Sequence, residues 1–269
     1  MKGAFSKFFA DRGTHLAAMI AYFALLSFVP LVFLALSLLG IAGRPSETSF
    51  VVKELSKAFP SVSIDEIVKT VNRIRTHSTE LGIVGGVFLA WSSLSLFSVL
   101  ESAFNIVYGR PNRSFLHGKA LAVVVLIGLL VALFIGLLTG SIGYDVLKRF
   151  APGFVGNTYV AYTLSIAVSL LTVFLFVLSA YYFLTNEKLT VQEVLPGALL
   201  CAVALEASFQ VLPIYLRLAD NATAVKAFAG PALLLLWLYV MANVIVFGAE
   251  INYWLARRST QAEEVPGLA

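Results

Sequence analysis

Residues 81–108 read LGIVGGVFLAWSSLSLFSVLESAFNIVY, a long apolar stretch whose one charge is Glu101. About 20 apolar residues suffice to cross a bilayer as a helix, and in hydrocarbon every backbone group must be satisfied within the segment or a closed barrel. This stretch has no strict alternation, so it predicts a transmembrane helix. One edge of it is nevertheless polar. Trp91, Ser95, Ser98, Ser102 and Asn105 recur at intervals of three or four, and Glu101 flanks them. A carboxylate in hydrocarbon persists only where it faces a bundle interior, a partner or a wet cavity. The segment therefore predicts a membrane protein with a polar interior.

Five further runs of the same kind follow from the rest of the chain: 16–42, 119–142, 159–185, 195–219 and 230–254. Of the 269 residues 59% are hydrophobic and 13% charged, too apolar for a soluble domain of this length. The expected fold is all-α, a bundle of six transmembrane helices forming one domain over 1–258. The polar segment 43–80 is too long for a plain connection. Ser63 and Glu66 form a capping box there, and Ile64, Ile67, Val68, Val71 and Ile74 follow at helical spacing. We expect a small amphipathic helical cap outside the cytoplasm, serving either as packing on the helix ends or as a gate or partner surface. The tail 259–269 is expected to be disordered. Lys2, Lys7 and Arg12 precede the first run, but its apolar core is too long for a signal peptide and no cleavage site follows.

Six spans put both termini on one side with the loops after the second and fourth runs. That side carries nine basic residues in short segments, against four in the opposite short loops. By the positive-inside rule the termini are cytoplasmic. The net charge of +4 is largely this orientation signal, so it carries no nucleic-acid meaning.

Two other carboxylates share the position of Glu101. Glu250 lies in the sixth run with Asn243 two turns before it and Asn252 beside it, while Glu206 is the deepest charge, near the centre of the fifth run with Gln210 one turn on. Glu101 and Glu250 both fall toward the cytoplasmic ends of their runs and can share a site. The candidate substrate or proton-binding residues are thus Glu101, Asn105, Glu206, Asn243, Glu250 and Asn252. Structural ion pairing is the competing reading, because Arg110, Arg113, Arg257 and Arg258 can reach back from the interface. For Glu206 basic partners are scarce at that depth, which leaves protonation or a hydrogen bond to Ser, Gln, Asn or Tyr. Pro30, midway in the first run, removes a backbone bond and is a candidate hinge or a static kink, with Ser27 placed to help the freed carbonyl. Pro196 and Pro231 are expected to open the fifth and sixth helices. Gly128, Ala132, Gly136 and Gly140 strip one face of the third run, which suits close packing within the chain or a homo-oligomer contact.

Enzyme chemistry finds little support. His15, His77 and His117 are scattered, no ligand spacing for a metal occurs, and no nucleotide loop or nucleophile elbow is present. The single cysteine, Cys201, forms no intramolecular disulfide. No metal or cofactor is expected.

The chain resembles the YihY/BrkB family of bacterial inner-membrane proteins, long labelled ribonuclease BN-like. The resemblance rests on Ala17-Ala18-Met19-Ile20-Ala21-Tyr22 and Ser27-Phe28-Val29-Pro30, on Trp91-Ser92-Ser93 and Phe104-Asn105 with Tyr108, on Pro196-Gly197-Ala198, and on Trp237-Leu238-Tyr239 with Gly248-Ala249-Glu250-Ile251-Asn252. It departs at Phe228-Ala229, where the family often has Tyr-Gly. The resemblance implies six spans with cytoplasmic termini in the inner membrane. It implies a place in envelope integrity or the export of an amphiphile by analogy only. The expected function is a transporter or flippase-like exporter without ATP, its partners membrane lipids or an amphiphilic small molecule. The alternative is a structural or envelope-assembly protein. A membrane ribonuclease comes last, since it needs a metal cluster or acid-base pair open to water and a basic groove for RNA.

Overall fold

The structure is a computed structural model. It describes residues 2–41, 78–114, 158–219 and 226–263, together with Lys69, His117, Gly118, Ala120, Val123 and Val124. Among the described residues every regular element is helical: α1 Lys2–Ala10, α2 Gly13–Ile41, α3 Ser78–Tyr108, α4 Thr158–Leu184, α5 Val191–Ala219 and α6 Lys226–Glu263. Helices α2 to α6 fall on the first, second, fourth, fifth and sixth apolar runs. The third run lies outside the described residues apart from Ala120, Val123 and Val124, and with it Gly128, Ala132, Gly136 and Gly140, as does the cap apart from Lys69 and 78–80. Helix α6 continues to Glu263, through the first part of the segment expected to be a tail.

Among the described residues two stretches meet the length and apolarity of a membrane span, Val191–Ser208 and Leu234–Arg258, and Gly13–Ser27, Leu94–Tyr108 and Ser169–Leu184 are shorter apolar helices. The surfaces of the helices agree with an apolar solvent. On α3, Ile83, Val87 and Trp91 stand one turn apart and are 66%, 68% and 57% exposed. Leu195, Leu199 and Val203 make a similar exposed row on α5, and Leu171 and Leu175 on α4. Such rows are costly in water and ordinary in lipid.

The chain divides into two compact units, one of residues 1–11, 101–206 and 245–269 and the other of 12–100 and 207–244. In the first unit α1 lies against α6: Phe8 and Phe5 meet Phe247 edge-on, and the indole of Trp254 fills the space beside Gly3. Phe104 of α3 packs on Tyr181 of α4, whose hydroxyl donates to the Ile245 carbonyl of α6 at 2.6 Å.

Among the described glycines, the closest approach is between α5 and α6. A Cβ on Gly197 would collide with the Gly248 carbonyl and with Asn252, and one on Gly248 would meet the Tyr181 hydroxyl and lie 3.3 Å from Cys201 Cβ. Within a bilayer the hydrophobic effect does not draw helices together, so contact of this closeness and the hydrogen bonds it permits supply the association. Cys201 is fully buried in this seam.

Helix ends follow local chemistry. Gly109 at φ 63 ends α3 in a Schellman turn, with Gly109 N–H donating to Ile106 O and Arg110 N–H to Asn105 O at 2.8 Å. Thr190 caps α5, its N–H and hydroxyl both donating to Glu193 Oε2. Pro196 and Pro231 do not open their helices. Helices α5 and α6 begin at Val191 and Lys226, because the Thr190 cap sets the start of α5 a turn ahead of the proline. Arg12, at φ 55, separates α1 from α2 in a conformation uncommon for a non-glycine residue.

In the second unit the helix α2 is unbroken through Pro30. Ser27 Oγ donates to Phe23 O at 2.9 Å. The carbonyl that proline leaves without a donor is that of Leu26, one position before Ser27, so the expected help goes to a different carbonyl.

Candidate functional site

The polar edge of α3 ends in a knot of hydrogen bonds. Arg113, in the segment after α3, gives its guanidinium to the last carbonyls of α4: Nη1 to Leu184 O at 2.6 Å, Nη2 to Thr185 O at 2.8 Å and to Phe183 O at 3.1 Å. Cationic donors suit the negative end of a helix. The same guanidinium pairs with Glu101 Oε1 at 3.4 Å, and the Arg113 N–H donates to that oxygen at 3.1 Å. Glu101 is covered by Gly118, where a Cβ would stand 3.0 Å from Oε2. Asn105, fully buried, accepts from the Asn186 N–H at 2.7 Å and donates to Asn112 Oδ1, which in turn holds Ser102 through its amide. Asn186 Nδ2 closes the ring on Pro111 O. Further back, Ser95 and Ser98 donate to the carbonyls one turn before them, Trp91 O and Leu94 O.

The second cluster surrounds Glu250. Its side chain is 0% exposed, and among the described residues neither oxygen has a hydrogen-bond partner. Its counter-charge is Lys7 of α1, whose Nζ lies 3.2 Å from Oε2. Lys7 also pairs with Asp11, donates to Val107 O at 2.7 Å, and stands 4.4 Å from the centre of the Tyr253 ring. One ammonium thus serves two carboxylates, a carbonyl and an aromatic face. Asn252, two residues further along α6, accepts from the Gly197 N–H at 2.6 Å, and its Nδ2 is buried without a partner among the described residues. Proline at 196 has no N–H to give the helix, and the donor after it is turned to Asn252.

Glu206 accepts from Ser169 Oγ of α4 at 2.7 Å, a partner of the kind its depth demands. Asn243, in the other unit, donates to Tyr239 O of its own helix at 2.7 Å. Among the expected site residues of the first unit, Glu101 and Asn105 bond to the segments that follow α3 and α4, Glu250 meets α1, Asn252 meets α5 and Glu206 meets α4. Among the described residues no group of three or more His, Cys, Asp or Glu is arranged to hold a metal.

The profile of the virulence factor BrkB family matches residues 4–268. The chain belongs to that family. YfkH of Bacillus subtilis, which bears a ribonuclease-like name, is 26% identical over 99% of this chain and 98% of its own length. UPF0761 membrane proteins are similar too: that of Laribacter hongkongensis is 27% identical over 91% of this chain, and that of Azotobacter vinelandii 28% identical over 92%. The chain spans about three fifths of those two proteins, 59% and 60% of their lengths. No solved structure matches it.

Several residues of this BrkB-family chain that organise the clusters gave only weak signals in the sequence. Lys7 and Arg113 read as orientation charges, and Arg113 was foreseeable as a partner of Glu101 from its closeness to the interface. Lys7 was not foreseeable for Glu250, since 243 residues of chain separate them. Asn112, Asn186 and Thr190 look like ordinary loop residues. Thr190 with Glu193 does carry a capping-box spacing that marks where α5 begins.

Proposed function

We propose that this BrkB-family protein crosses the bacterial inner membrane six times with both termini cytoplasmic, and moves a lipid or other amphiphile without nucleotide hydrolysis. The observation that carries this reading is Glu250, a carboxylate wholly buried in the stretch Leu234–Arg258, with neither oxygen hydrogen-bonded and one shared lysine 3.2 Å away. A buried charge that is incompletely satisfied is expensive to keep for stability alone. Lys7 has other acceptors in Asp11 and Val107 O, so it can leave Glu250 when a proton or a cationic headgroup takes its place. In this reading Glu250 meets the proton or substrate and Lys7 is its exchangeable partner. Glu101, Asn105 and Asn252, bonded to backbone donors, hold the helix ends in position, while Glu206 and Asn243 set the polarity of the interior.

The test is lipid movement in proteoliposomes carrying a fluorescent phospholipid, with dithionite quenching of the outer leaflet. The protein should accelerate exchange over protein-free liposomes, and Glu250→Gln at equal incorporation should lose most of that acceleration. Equal rates for the two proteins, or no acceleration at all, would remove the mechanism.

A structural role in the envelope is the second reading, favoured by the hydrogen bonds that Arg113 and Asn105 spend on helix and loop backbone. It expects no lipid movement, and cellular phenotypes that track stability. The ribonuclease-like name of YfkH supplies a third, which RNA cleavage assays with metal and chelator controls decide.

A further inference from the structure

A cavity of about 360 Å³ opens where α3 ends, beside the 187–189 loop, the first turn of α5 and the 253–257 turn of α6. Its size falls within the range of small-molecule sites, about 300 to 1,000 Å³. All of these elements belong to one compact unit; α3 ends here, α5 begins here, and the apolar stretch of α6 closes at Arg258, so the cavity lies where apolar helix gives way to polar chain.

Its lining is charged, but the charges are not equally free. Glu187 is engaged by Arg110 through both oxygens, a bond that also holds the Arg110 pKa above its ordinary value. Glu193 is engaged by the Thr190 N–H and hydroxyl. The two carboxylates are thus already supplied with donors. Lys188 and Arg257 are both exposed, and neither has an ion pair among the described residues; Arg257 lies over the Tyr253 ring at 4.8 Å. The remaining polar atom is the Tyr108 hydroxyl. Tyr108 is 8% exposed, lines the cavity, and its hydroxyl is buried without a hydrogen-bond partner among the described residues. A buried hydroxyl of that kind costs stability until an acceptor reaches it. Among the described residues the lining thus holds one buried hydroxyl without a hydrogen-bond partner and two exposed cations without an ion pair, one of them stacked on the Tyr253 ring.

We infer that this cavity binds a phosphate group, with the Tyr108 hydroxyl donating to a phosphate oxygen and Lys188 and Arg257 supplying the opposite charge. Phosphate matches the set because it is an acceptor with several oxygens and a full negative charge, and because charge-assisted bonds are the stronger class. The exposed apolar residues of the adjoining helices suit a phosphate that carries acyl chains, and a water-soluble phosphomonoester has the same headgroup chemistry. The site does not depend on lipid movement: a protein that only resides in the membrane can hold a headgroup there.

The test uses the full chain in mild detergent, titrated with dioleoyl phosphatidic acid, dioleoylglycerol or glycerol 3-phosphate and followed by native mass spectrometry and thermal shift. Phosphatidic acid should bind at least about tenfold more tightly than dioleoylglycerol, and Tyr108→Phe or Lys188→Gln should each remove about that advantage. Because the Tyr108 hydroxyl is unpartnered, Tyr108→Phe should leave the ligand-free Tm unchanged or raised, which separates lost binding from lost fold. If glycerol 3-phosphate also binds, and Tyr108→Phe abolishes it, the ligand is a soluble phosphate ester; if only phosphatidic acid does, it is a lipid headgroup. Equal binding of phosphatidic acid and dioleoylglycerol, or wild-type binding by both variants, overturns the assignment.

Discussion

Arg113 and Lys7 solve one problem in two ways. Each is a cation set against a buried glutamate, but Arg113 divides its planar fork among three carbonyls and one carboxylate, whereas Lys7 is a point charge shared by partners that compete for it. The fork geometry suits a fixed joint and the flexible ammonium an exchangeable one. It follows that Arg113→Ala, which orphans Glu101 and the end of α4 together, should lower stability in detergent by about 3 to 5 kcal/mol. Glu101→Gln keeps an oxygen for the Arg113 N–H and should cost no more than about 1 to 3 kcal/mol. Unfolding curves of the two purified variants check this, and equal losses would mean that the carbonyl cap contributes nothing. At this scale the sequence was only half legible. The three intramembrane glutamates stood out because charge in an apolar run is rare, and Arg113 lay within reach of Glu101 along the chain. The Lys7 partnership depends on α1 folding against α6, which no local pattern encodes.

At the scale of elements, the apolar runs forecast α2 to α6 closely, since length and hydropathy are properties of a segment by itself. Their starts were less legible. Pro196 looked like a first-turn proline, yet the Thr190 cap begins α5 earlier and leaves the proline inside the helix. The short α1 was read only as basic leader, because nine residues give too little periodicity against so long an apolar neighbour. The tightest element contact, α5 on α6, was visible only as Pro196-Gly197-Ala198 and Gly248-Ala249-Glu250, two motifs with no sign that they meet. Gly248→Ala places a methyl against the Tyr181 hydroxyl, the Gly197 carbonyl and Cys201. It should destabilise by about 1 to 3 kcal/mol, the usual cost of overfilling a packed contact, and Ala249→Gly, which adds no bulk to the seam, should not separate the helices. Detergent unfolding compared with membrane abundance measures both, and a Gly248→Ala protein as stable as wild type would show that the seam has room to relax.

For the molecule as a whole, composition and the order of the runs made the all-helical membrane class legible, since 59% hydrophobic residues leave few alternatives. The gathering of the polar residues was not. Glu101 and Glu250 read as able to share a site with Asn105 and Asn252, but which neighbour each would meet was not legible. Glu101 and Asn105 take donors from the segments after α3 and α4, Glu250 takes Lys7 of α1, and Asn252 takes the Gly197 N–H of α5. The seam between α5 and α6 also contains the chain's one thiol, Cys201, fully buried beside Gly248. Alkylation by a small maleimide should therefore be slow in the resting protein and accelerate only when α5 and α6 part. Its rate under added lipid, compared with the rate after detergent unfolding, measures how often they do. The native sequence thus carries its own clock for opening, readable in a living membrane without removing or adding a single residue.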